Sequence, residues 1–216
     1  MSKLPFRLQK IAELVTGKRV CDIGCDHGKL AEYLLSSGKV ESVIVSDISR
    51  PSLQKAIDLL SAKDYNFEYI CCDGLEGYSG KSVDQGIIAG MGGDEIIKII
   101  SNSPIEINSY ILSPQHNNID VKKFLLSHGY NIDYDVIIRD KSKFYNIIRC
   151  YKSNKVRECS DLQLVIGEAN YIDPDSCSDD FVKNEILKVD RILDGNKIEN
   201  QDLVEYIKIL KQYKRN

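Results

Sequence analysis

Apolar and polar residues alternate along the first 150 residues in a way that predicts strands and helices in turn. Short apolar runs, typical of buried strands, occupy 19–24, 43–47, 67–71, 83–89 and 110–112. Between them the apolar positions recur every three or four residues, which predicts helices over 6–15, 27–37, 51–60, 92–101 and 121–128. Pro51 suits the first turn of a helix, and Gly129 suits the residue after one.

Two more β patterns, 131–138 and 144–150, follow the last of these helices, with a turn near 140–142. Strands that alternate with helices over short connections are typical of a parallel, doubly wound sheet. Five βα units followed by two closing strands is the count of a Rossmann-like class I methyltransferase sheet. A dinucleotide oxidoreductase would normally lack that terminal hairpin. We therefore predict an α/β fold in which residues 1–153 form the sheet domain.

The pattern changes after residue 154. Residues 158–180 carry seven acids and no Lys or Arg, and they include the turn-like Asp173-Pro174-Asp175, which predicts an acidic connector. Helical patterns over 181–193 and 201–213, with Gly195-Asn196 between them, predict a helical hairpin. We expect 154–216 to form a small, coiled-coil-like C-terminal unit. It is either a lid packed on the main domain or on itself, or a substrate-docking appendage.

Composition narrows the class of protein. The 216 residues are 43% hydrophobic and 28% charged, which is too apolar for a disordered chain. The apolar runs are far shorter than a bilayer span, and the first residues do not form a secretory leader. Seven cysteines, an odd count, favour free thiols in a reducing cytoplasm. Cys21 and Cys25 with His27 could form a metal corner, but no second pair has ligand spacing, so we predict buried thiols and no metal site.

The main chemical motif is Asp22-Ile23-Gly24-Cys25-Asp26-His27-Gly28, at the end of the first strand. S-adenosylmethionine (SAM) carries an α-ammonium and a sulfonium, and a carboxylate at Asp22 can accept a hydrogen bond from the ammonium or organise water around it. Gly24 would allow the backbone to approach a ligand closely. Asp26 stands where a dinucleotide pyrophosphate needs neutral or positive surroundings, which disfavours NAD and suits a cationic cofactor.

Acids also end the next two strands. Asp47, followed by Ile48, ends the second strand and could accept both ribose hydroxyls of SAM or of NAD. Asp73-Gly74 ends the third strand, where an acid can accept from an adenine amino group. Acids at three successive strand ends favour a cofactor site, with helix N-caps and turn acids as the structural alternative.

Two loops follow the fourth and fifth strands. Ala89-Gly90-Met91-Gly92-Gly93 has three glycines in four residues, as expected of a loop pressed against something flat or close, although a tight turn would also explain it. In this fold class that loop borders the transferring methyl group. Ser113-Pro114-Gln115-His116-Asn117 offers carbonyls, an amide and an imidazole at the same rim.

These motifs, with Lys143-Phe144-Tyr145-Asn146-Ile147-Ile148 and the opening Phe6-Arg7-Leu8, resemble the TrmK family. Its members are bacterial tRNA (adenine-22, N1) methyltransferases that use SAM. The resemblance covers roughly residues 4–152, with the two-helix tail in the place of a coiled-coil-like domain. The sequence departs from it at Ser113-Pro114-Gln115, where the family has Gln-Pro-Asn, so that Gln115 or Asn117 would take over from that Asn.

The resemblance implies residue roles. Cofactor-binding residues would be Asp22, Gly24, Cys25, Asp26, His27, Asp47, Ile48, Asp73, Gly74, Ala89, Gly90 and Met91. Because N1 of adenine has an in-plane lone pair, methylation needs position and electrostatics more than a base. Asp26, Met91, Gln115 and Tyr145 would act on the transfer, with the Ser113 carbonyl or Gln115 orienting the ring and Tyr145 stacking on it. The tRNA would contact Arg7, Lys10, Gly92, Gly93, Ser113, Arg139 and Lys143.

The charge distribution agrees with an RNA partner. The net −3 comes from the −7 of residues 158–180, while 1–157 and 181–216 each carry +2. Basic residues concentrate in the first nineteen residues, including Lys3, in 139–157, and at Lys211, Lys214 and Arg215. We expect a cytoplasmic monomer that needs no metal. The alternatives are a methyltransferase for another RNA, a protein or a small molecule, a SAM-binding module without catalysis, and an NAD-dependent oxidoreductase.

Overall fold

The computed structural model describes residues 4–195 and 200–213 and contains seven strands. The strands are β1 (Arg19–Ile23), β2 (Ser42–Asp47), β3 (Phe67–Cys71), β4 (Gln85–Ala89), β5 (Ser109–Ser113), β6 (Tyr130–Asp140) and β7 (Lys143–Lys152). The α-helices in the described ranges are α1 (Phe6–Leu14), α2 (Lys29–Ser36), α3 (Arg50–Ser61), α4 (Gly93–Ser101), α5 (Asn118–Ser127), α6 (Asp161–Ile166), α7 (Glu168–Ile172), α8 (Ser176–Gly195) and α9 (Gln201–Leu210).

The strands form one sheet in the order β3-β2-β1-β4-β5-β7-β6. The first five strands are parallel, and β7 runs antiparallel between β5 and β6. The chain first builds outward from β1 to β3 and then crosses to β4 on the other side of β1, so the switch point lies between β1 and β4. This arrangement confirms the predicted Rossmann-like methyltransferase sheet with its closing hairpin.

Helices cover both faces of the sheet because its central strands are apolar on both sides. One core contains α1, α2 and α3, through residues such as Ile11, Leu34 and Leu60. The other contains α4 and α5, through residues such as Ile96 and Leu125. The carboxyl ends of the parallel strands are left uncovered at one edge of the sheet.

The C-terminal helices pack against β6 and α5. Ile137 of β6 shares a buried cluster with Leu162, Ile166, Val182 and Leu210. Helices α8 and α9 pack side by side, as the predicted hairpin does, although Asn196 of the predicted Gly195-Asn196 junction lies outside the described residues. The division at residue 153 into two domains stays a prediction.

The acidic segment over 158–180 contains α6, α7 and the start of α8. Helix α6 begins with a capping box between Ser160 and Gln163. Leu162, Leu164, Val165 and Ile166 are all buried, and with apolar residues at four of its six positions the helix is too short to show a 3.6-residue period. The periodicity of apolar residues does not predict a buried helix of only six residues.

The acids of this segment also neutralise basic residues that the sequence assigned to an RNA surface. Arg139 pairs with Asp180 at 3.0 Å, and Arg157 pairs with Glu168. Arg149 pairs with Asp133 across the hairpin at 2.9 Å. The basic run at 139–157 is therefore less positive in the folded chain than along the sequence. Lys3, Lys214 and Arg215 lie outside the described residues.

In 4–195 and 200–213, no helix is both long enough and apolar enough to cross a bilayer.

Candidate functional site

A cavity of about 370 Å³ opens at the carboxyl ends of the parallel strands, beside the switch point between β1 and β4. This is where ligands bind in open α/β sheets. Its wall contains residues from all five parallel strand ends and from α1 and α4. They are Arg7, Ile23, Gly24, Asp26, Ser46, Asp47, Ile48, Cys72, Asp73, Gly74, Ala89, Gly90, Met91, Glu95 and Gln115.

Asp22 lies in β1 next to Ile23 of this wall, is not itself among the lining residues, and is 4% exposed. Its Oδ2 atom makes no hydrogen bond within the described part of the chain. Burial, together with the charges of Asp47 and Asp26, raises the pKa of Asp22 to about 7. A carboxyl group in this state is stabilised as an anion by any cation that enters the cavity above it.

Gly24 begins the loop after β1 with a φ of +71°, which an L-residue rarely adopts. Its N–H and that of Cys25 both donate to the Ser46 carbonyl oxygen, at 2.8 and 2.9 Å. A Cβ atom on Gly24 would collide with the Met91 side chain from the other side of the cavity. Glycine is favoured here by the positive φ, because the Met91 atom in contact is the end of a flexible side chain that can move aside.

Asp47 fixes the two loops that flank it. One oxygen accepts a hydrogen bond from the Ser49 N–H at 2.8 Å, and the other accepts from the Asp26 N–H at 3.1 Å. A carboxylate oxygen has two lone-pair directions, so each keeps one for a ligand donor. The Asp26 carboxylate is 76% exposed at the rim, and Ile48 is 71% exposed beside Asp47.

The end of β3 carries a mixed set of groups. Asp73 pairs with Lys98 of α4 at 3.3 Å, and Gly74 has a φ of +55°. Cys72 and Glu95 also line the cavity here, and Ser46 does so at the end of β2. Sequence reasoning missed these three residues. No sequence motif marks these residues as part of a site, since Glu95 lies in the first turn of a helix and Ser46 and Cys72 lie beside a strand-end acid.

The glycine-rich loop after β4 is tied to the loop after β5 by several hydrogen bonds. The Gly90 N–H donates to the Ser113 carbonyl at 3.1 Å, and the Gly93 N–H donates to the His116 carbonyl at 3.0 Å. A Cβ atom on Gly92 would lie 2.6 Å from the His116 ring, and one on Gly93 would lie 2.7 Å from the Asn117 carbonyl oxygen. Gly92 and Gly93 are therefore explained by packing between two loops.

Gln115 bridges the same two loops at the cavity. Its backbone N–H donates to the Met91 carbonyl at 2.9 Å, and its side-chain Nε2 donates to the Gly90 carbonyl at 2.5 Å. Because the amide nitrogen is engaged in this way, the amide oxygen is left to accept a hydrogen bond from a ligand.

Eleven residues that the sequence assigned to the site line the cavity together. They are Arg7, Gly24, Asp26, Asp47, Ile48, Asp73, Gly74, Ala89, Gly90, Met91 and Gln115. Arg7 lies in the wall of the cavity with the candidate cofactor residues, and its assignment to substrate binding stays a prediction.

Other predicted site residues lie elsewhere. Cys25 is buried in the core next to α2 and α3, and its thiol pKa is raised by burial. His27 points to Lys55, with 3.1 Å between Nε2 and Nζ. Ser113 is fully buried, and its carbonyl accepts a hydrogen bond from the Gly90 N–H; its role in orienting the base stays a prediction.

Three predicted contacts of RNA or base have partners within the chain. Lys10 pairs with Glu13 at 2.8 Å, and Arg139 pairs with Asp180. Tyr145 has the Arg7 guanidinium over its ring, with 4.9 Å between the Arg7 Cζ and the ring centroid. That face of Tyr145 is therefore covered and cannot stack on a base while Arg7 stays in place. Lys143 is exposed at the start of β7.

The arrangement suits an elongated ligand with separated charges. Carboxylates lie along the ends of β1, β2 and β3, and a cation lies at the end of β4. Such a cavity can bind a nucleoside through its ribose hydroxyls and an attached group that carries both positive and negative charge.

Comparisons with known proteins agree with this geometry. Residues 4–148 match a family model described as "Methyltransferase domain". A "Putative tRNA methyltransferase" of Mycoplasma genitalium is 30% identical over 166 residues, which cover 74% of this chain and 76% of that protein.

Solved structures share the fold. TrmK of M. capricolum in complex with S-adenosyl-homocysteine has a TM-score of 0.88 at 24% identity, covering 97% of each chain. A Streptococcus pneumoniae protein, titled a putative tRNA (m1A22) methyltransferase in complex with S-adenosyl-L-methionine, has a TM-score of 0.87 at 24% identity, covering 97% of this chain and 99% of that one.

Proposed function

The chain belongs to the methyltransferase-domain family, and on that premise we propose that it transfers a methyl group from SAM to N1 of adenine 22 in tRNA. The observation that carries the proposal is the row of carboxylates at the ends of β1, β2 and β3 around one cavity. The relatives named as tRNA methyltransferases supply the substrate class.

The residues present fit SAM as the cofactor. The unpartnered, buried oxygen of Asp22 suits an ammonium nearby, and the remaining lone pairs of Asp47 suit a ribose diol. Asp73 and the backbone at Gly74 suit an adenine edge. When bound, SAM supplies a methyl group on a positively charged sulfur.

The reaction requires the protein to position the two reactants and to stabilise the charge that develops on the base. The N1 lone pair of adenine forms a bond to the methyl carbon as the bond from carbon to sulfur breaks, so no proton has to leave N1. The positive charge moves from sulfur to the adenine ring. The exposed Asp26 carboxylate at the rim would stabilise the ring in its charged form, and the Met91 side chain would keep water from the reacting carbon.

Gln115 is the residue that would orient the base. Its Nε2 is held by the Gly90 carbonyl, so its Oε1 can accept a hydrogen bond from the adenine N6 amine. Since N1 lies on the pairing edge, the adenine must leave the tRNA stack before it reaches this position.

The surface of the protein offers fewer RNA contacts than the sequence suggests. Lys141 and Lys143 are exposed at the turn between β6 and β7, which also supplies Asp140 to the Arg7 backbone N–H, and neither has an ion-pair partner in the described ranges. We propose them as phosphate contacts that guide the target loop to the cavity. We also propose that the protein acts as a monomer in the cytoplasm without a metal ion, since N1 attack needs no Lewis acid.

The test is methyl transfer to defined RNA. The purified protein is incubated with methyl-labelled SAM and an unmodified tRNA transcript, in parallel with a transcript that carries guanine at position 22. Label on the first transcript alone, with a reverse-transcription stop at that position, is the expected result. Equal label on both would move the activity to another nucleotide. Binding of S-adenosyl-homocysteine (SAH) without transfer to any RNA would leave only a cofactor-binding module.

A further inference from the structure

Two basic side chains meet beside the cavity, on the side of β2. Lys55 of α3 and His27 of the loop before α2 lie with 3.1 Å between Nζ and Nε2. Lys55 is exposed and makes no ion pair with an acid within the described residues. An ammonium group has only donors, so His27 can accept its hydrogen bond only while Nε2 is unprotonated. Once the imidazole gains a proton, the two groups repel each other unless an anion lies between them.

The same nitrogen of His27 also faces an acid of the cavity wall. Nε2 lies 3.5 Å from Oδ1 of Asp26, which is exposed at the rim. Asp26 has a φ of +50°, and Asp47 holds this loop by accepting from the Asp26 N–H at 3.1 Å. A protonated His27 would therefore pair with Asp26 and shield its carboxylate from an anion bound next to Lys55.

Helices α2 and α3 bring further positive charge to this place. Both follow parallel strands, so both begin at the edge of the sheet where the cavity opens. A Cβ atom on Gly28 would lie 2.8 Å from the Ala56 Cβ, because the start of α2 lies against α3. Lys29 and Arg50 are the first residues of the two helices, and both are exposed. Together the basic residues form the α2–α3 patch, which consists of His27, Lys29, Arg50 and Lys55.

The acids of the two helices do not neutralise this patch. Glu32 of α2 pairs with Lys63 at 2.8 Å, and Asp58 of α3 accepts a hydrogen bond from Gln54 at 2.8 Å. The N-cap residue of α2 makes no side-chain hydrogen bond to the free N–H groups of the first turn, which favour an anion. The α2–α3 patch therefore offers several donors and uncompensated positive charge at one edge of the cavity.

We propose that the α2–α3 patch binds a backbone phosphate of the tRNA beside the target adenine, with Lys55 and protonated His27 as its donors. The inference rests on the proposed function, because it takes tRNA as the substrate. A phosphate can accept from both side chains at once, and its charge offsets their repulsion.

The position of the patch suits a nucleotide that has left its stack. The sheet order places α3 and the β6–β7 hairpin, which carries Lys141 and Lys143, on opposite sides of the cavity. The RNA backbone must enter and leave the cavity when a base is turned into it. Phosphate contacts on two sides would hold the backbone in that open form.

The test measures tRNA binding by the full chain as the salt concentration is varied. We expect Lys55→Ala to raise the dissociation constant for an unmodified tRNA transcript by about threefold to tenfold at low salt. The slope of log affinity against log salt should fall by about 0.7 to 0.9, the value for one phosphate contact. Lys63→Ala is the matched control, because it removes the same charge from just beyond the opposite end of α3, where Lys63 pairs with Glu32. That control should keep the wild-type slope, and both variants should bind SAH as the wild type does.

His27 gives a second measurement that a structural role would not change. Histidine changes its charge between about pH 5 and 8, and a phosphate favours the charged form. The affinity of the wild type for tRNA should therefore rise as the pH falls through this range, by up to about tenfold per pH unit. His27→Gln keeps a polar side chain without a titrating group and should remove most of this dependence. An unchanged pH dependence in His27→Gln would contradict the role of His27.

The remaining outcomes separate the explanations. A Lys55→Ala variant with wild-type affinity and salt slope overturns this inference alone, provided that the wild type methylates the transcript. An equal loss in Lys63→Ala shows a general effect of net charge, which also overturns a local contact. Weaker SAH binding or a lower free energy of unfolding in Lys55→Ala would make Lys55 a structural residue. A wild-type protein that neither binds nor methylates tRNA contradicts the proposed function, and this inference fails with it.

Discussion

At the residue scale, the buried carboxyl group of Asp22 makes the stability of the protein and ligand binding in the cavity depend on pH. The pKa of Asp22 is raised from 3.8 to about 7, first by burial and then by Asp47 and Asp26. Between these two values the folded chain keeps a proton that the unfolded chain releases. This group therefore makes the free energy of unfolding fall as the pH rises from about 4 to 7. A bound ammonium would lower the pKa of Asp22 and release the proton.

Ligand affinity should consequently rise with pH. We expect SAH to bind more tightly as the pH increases from 6 to 7, by up to about tenfold per pH unit, and then to reach a plateau. Asp22→Asn cannot release a proton and should bind weakly with a flat profile. Calorimetry in two buffers of different ionisation enthalpy measures the proton release directly, and a pH-independent wild-type affinity would contradict the role of Asp22.

At the element scale, the strands and helices of the sheet domain follow from local patterns. Phe67–Cys71 forms the predicted third strand without change, and Pro51 lies in the first turn of α3. The strand-end acids could be placed from sequence because the carboxyl ends of parallel strands share one edge. Contacts between loops that are distant in the sequence could not be placed in this way. Nothing local indicates that His116 fills the space beside Gly92, or that Asp180 pairs with Arg139.

The two interlocked loops give a test of this packing. Gly93 begins α4, where alanine would normally favour the helix. A Cβ atom there would lie 2.7 Å from the Asn117 carbonyl oxygen, so Gly93→Ala should instead destabilise the protein by about 1–3 kcal/mol. It should also lower methyl transfer through Gln115. Gly38→Ala, which meets no atom within 4 Å, reports the cost of backbone strain alone at φ +67°. A Gly93→Ala variant as stable as wild type in urea would show that the two loops move apart enough to accommodate the added methyl group.

At the scale of the whole molecule, a buried ion pair between α5 and β6 lies under the C-terminal helices, and one of its members also bonds to α6. Lys122 of α5 and Asp135 of β6 are 0% and 3% exposed and lie 2.8 Å apart. Lys122 also donates to the Leu164 carbonyl of α6 at 2.8 Å, and Asn146 of β7 donates to Asp135 at 2.8 Å. Each charge therefore has the additional partners that a buried pair needs.

Breaking this pair should be costly. Lys122→Met leaves the Asp135 carboxylate buried with only its neutral donor, and we expect a loss of about 3–5 kcal/mol in the free energy of unfolding. Lys122→Met combined with Asp135→Leu removes both charges and should recover part of that loss. Urea unfolding of the three proteins measures the effect, and a single variant within about 1 kcal/mol of wild type would show that the pair contributes little.

The hydrogen bond from Lys122 to the Leu164 carbonyl holds α6 to α5 whether or not the chain between β7 and α6 is intact. The segment that joins β7 to α6 is exposed at Asn154 and Lys155. The sheet domain before this segment and the C-terminal helices after it contact each other through buried residues. A protease that nicked the chain at Lys155 would cut a surface connection without touching the ion pair or the cluster around Ile137. The two fragments would stay together as one particle, because the halves are held by their interface and not by the peptide that joins them.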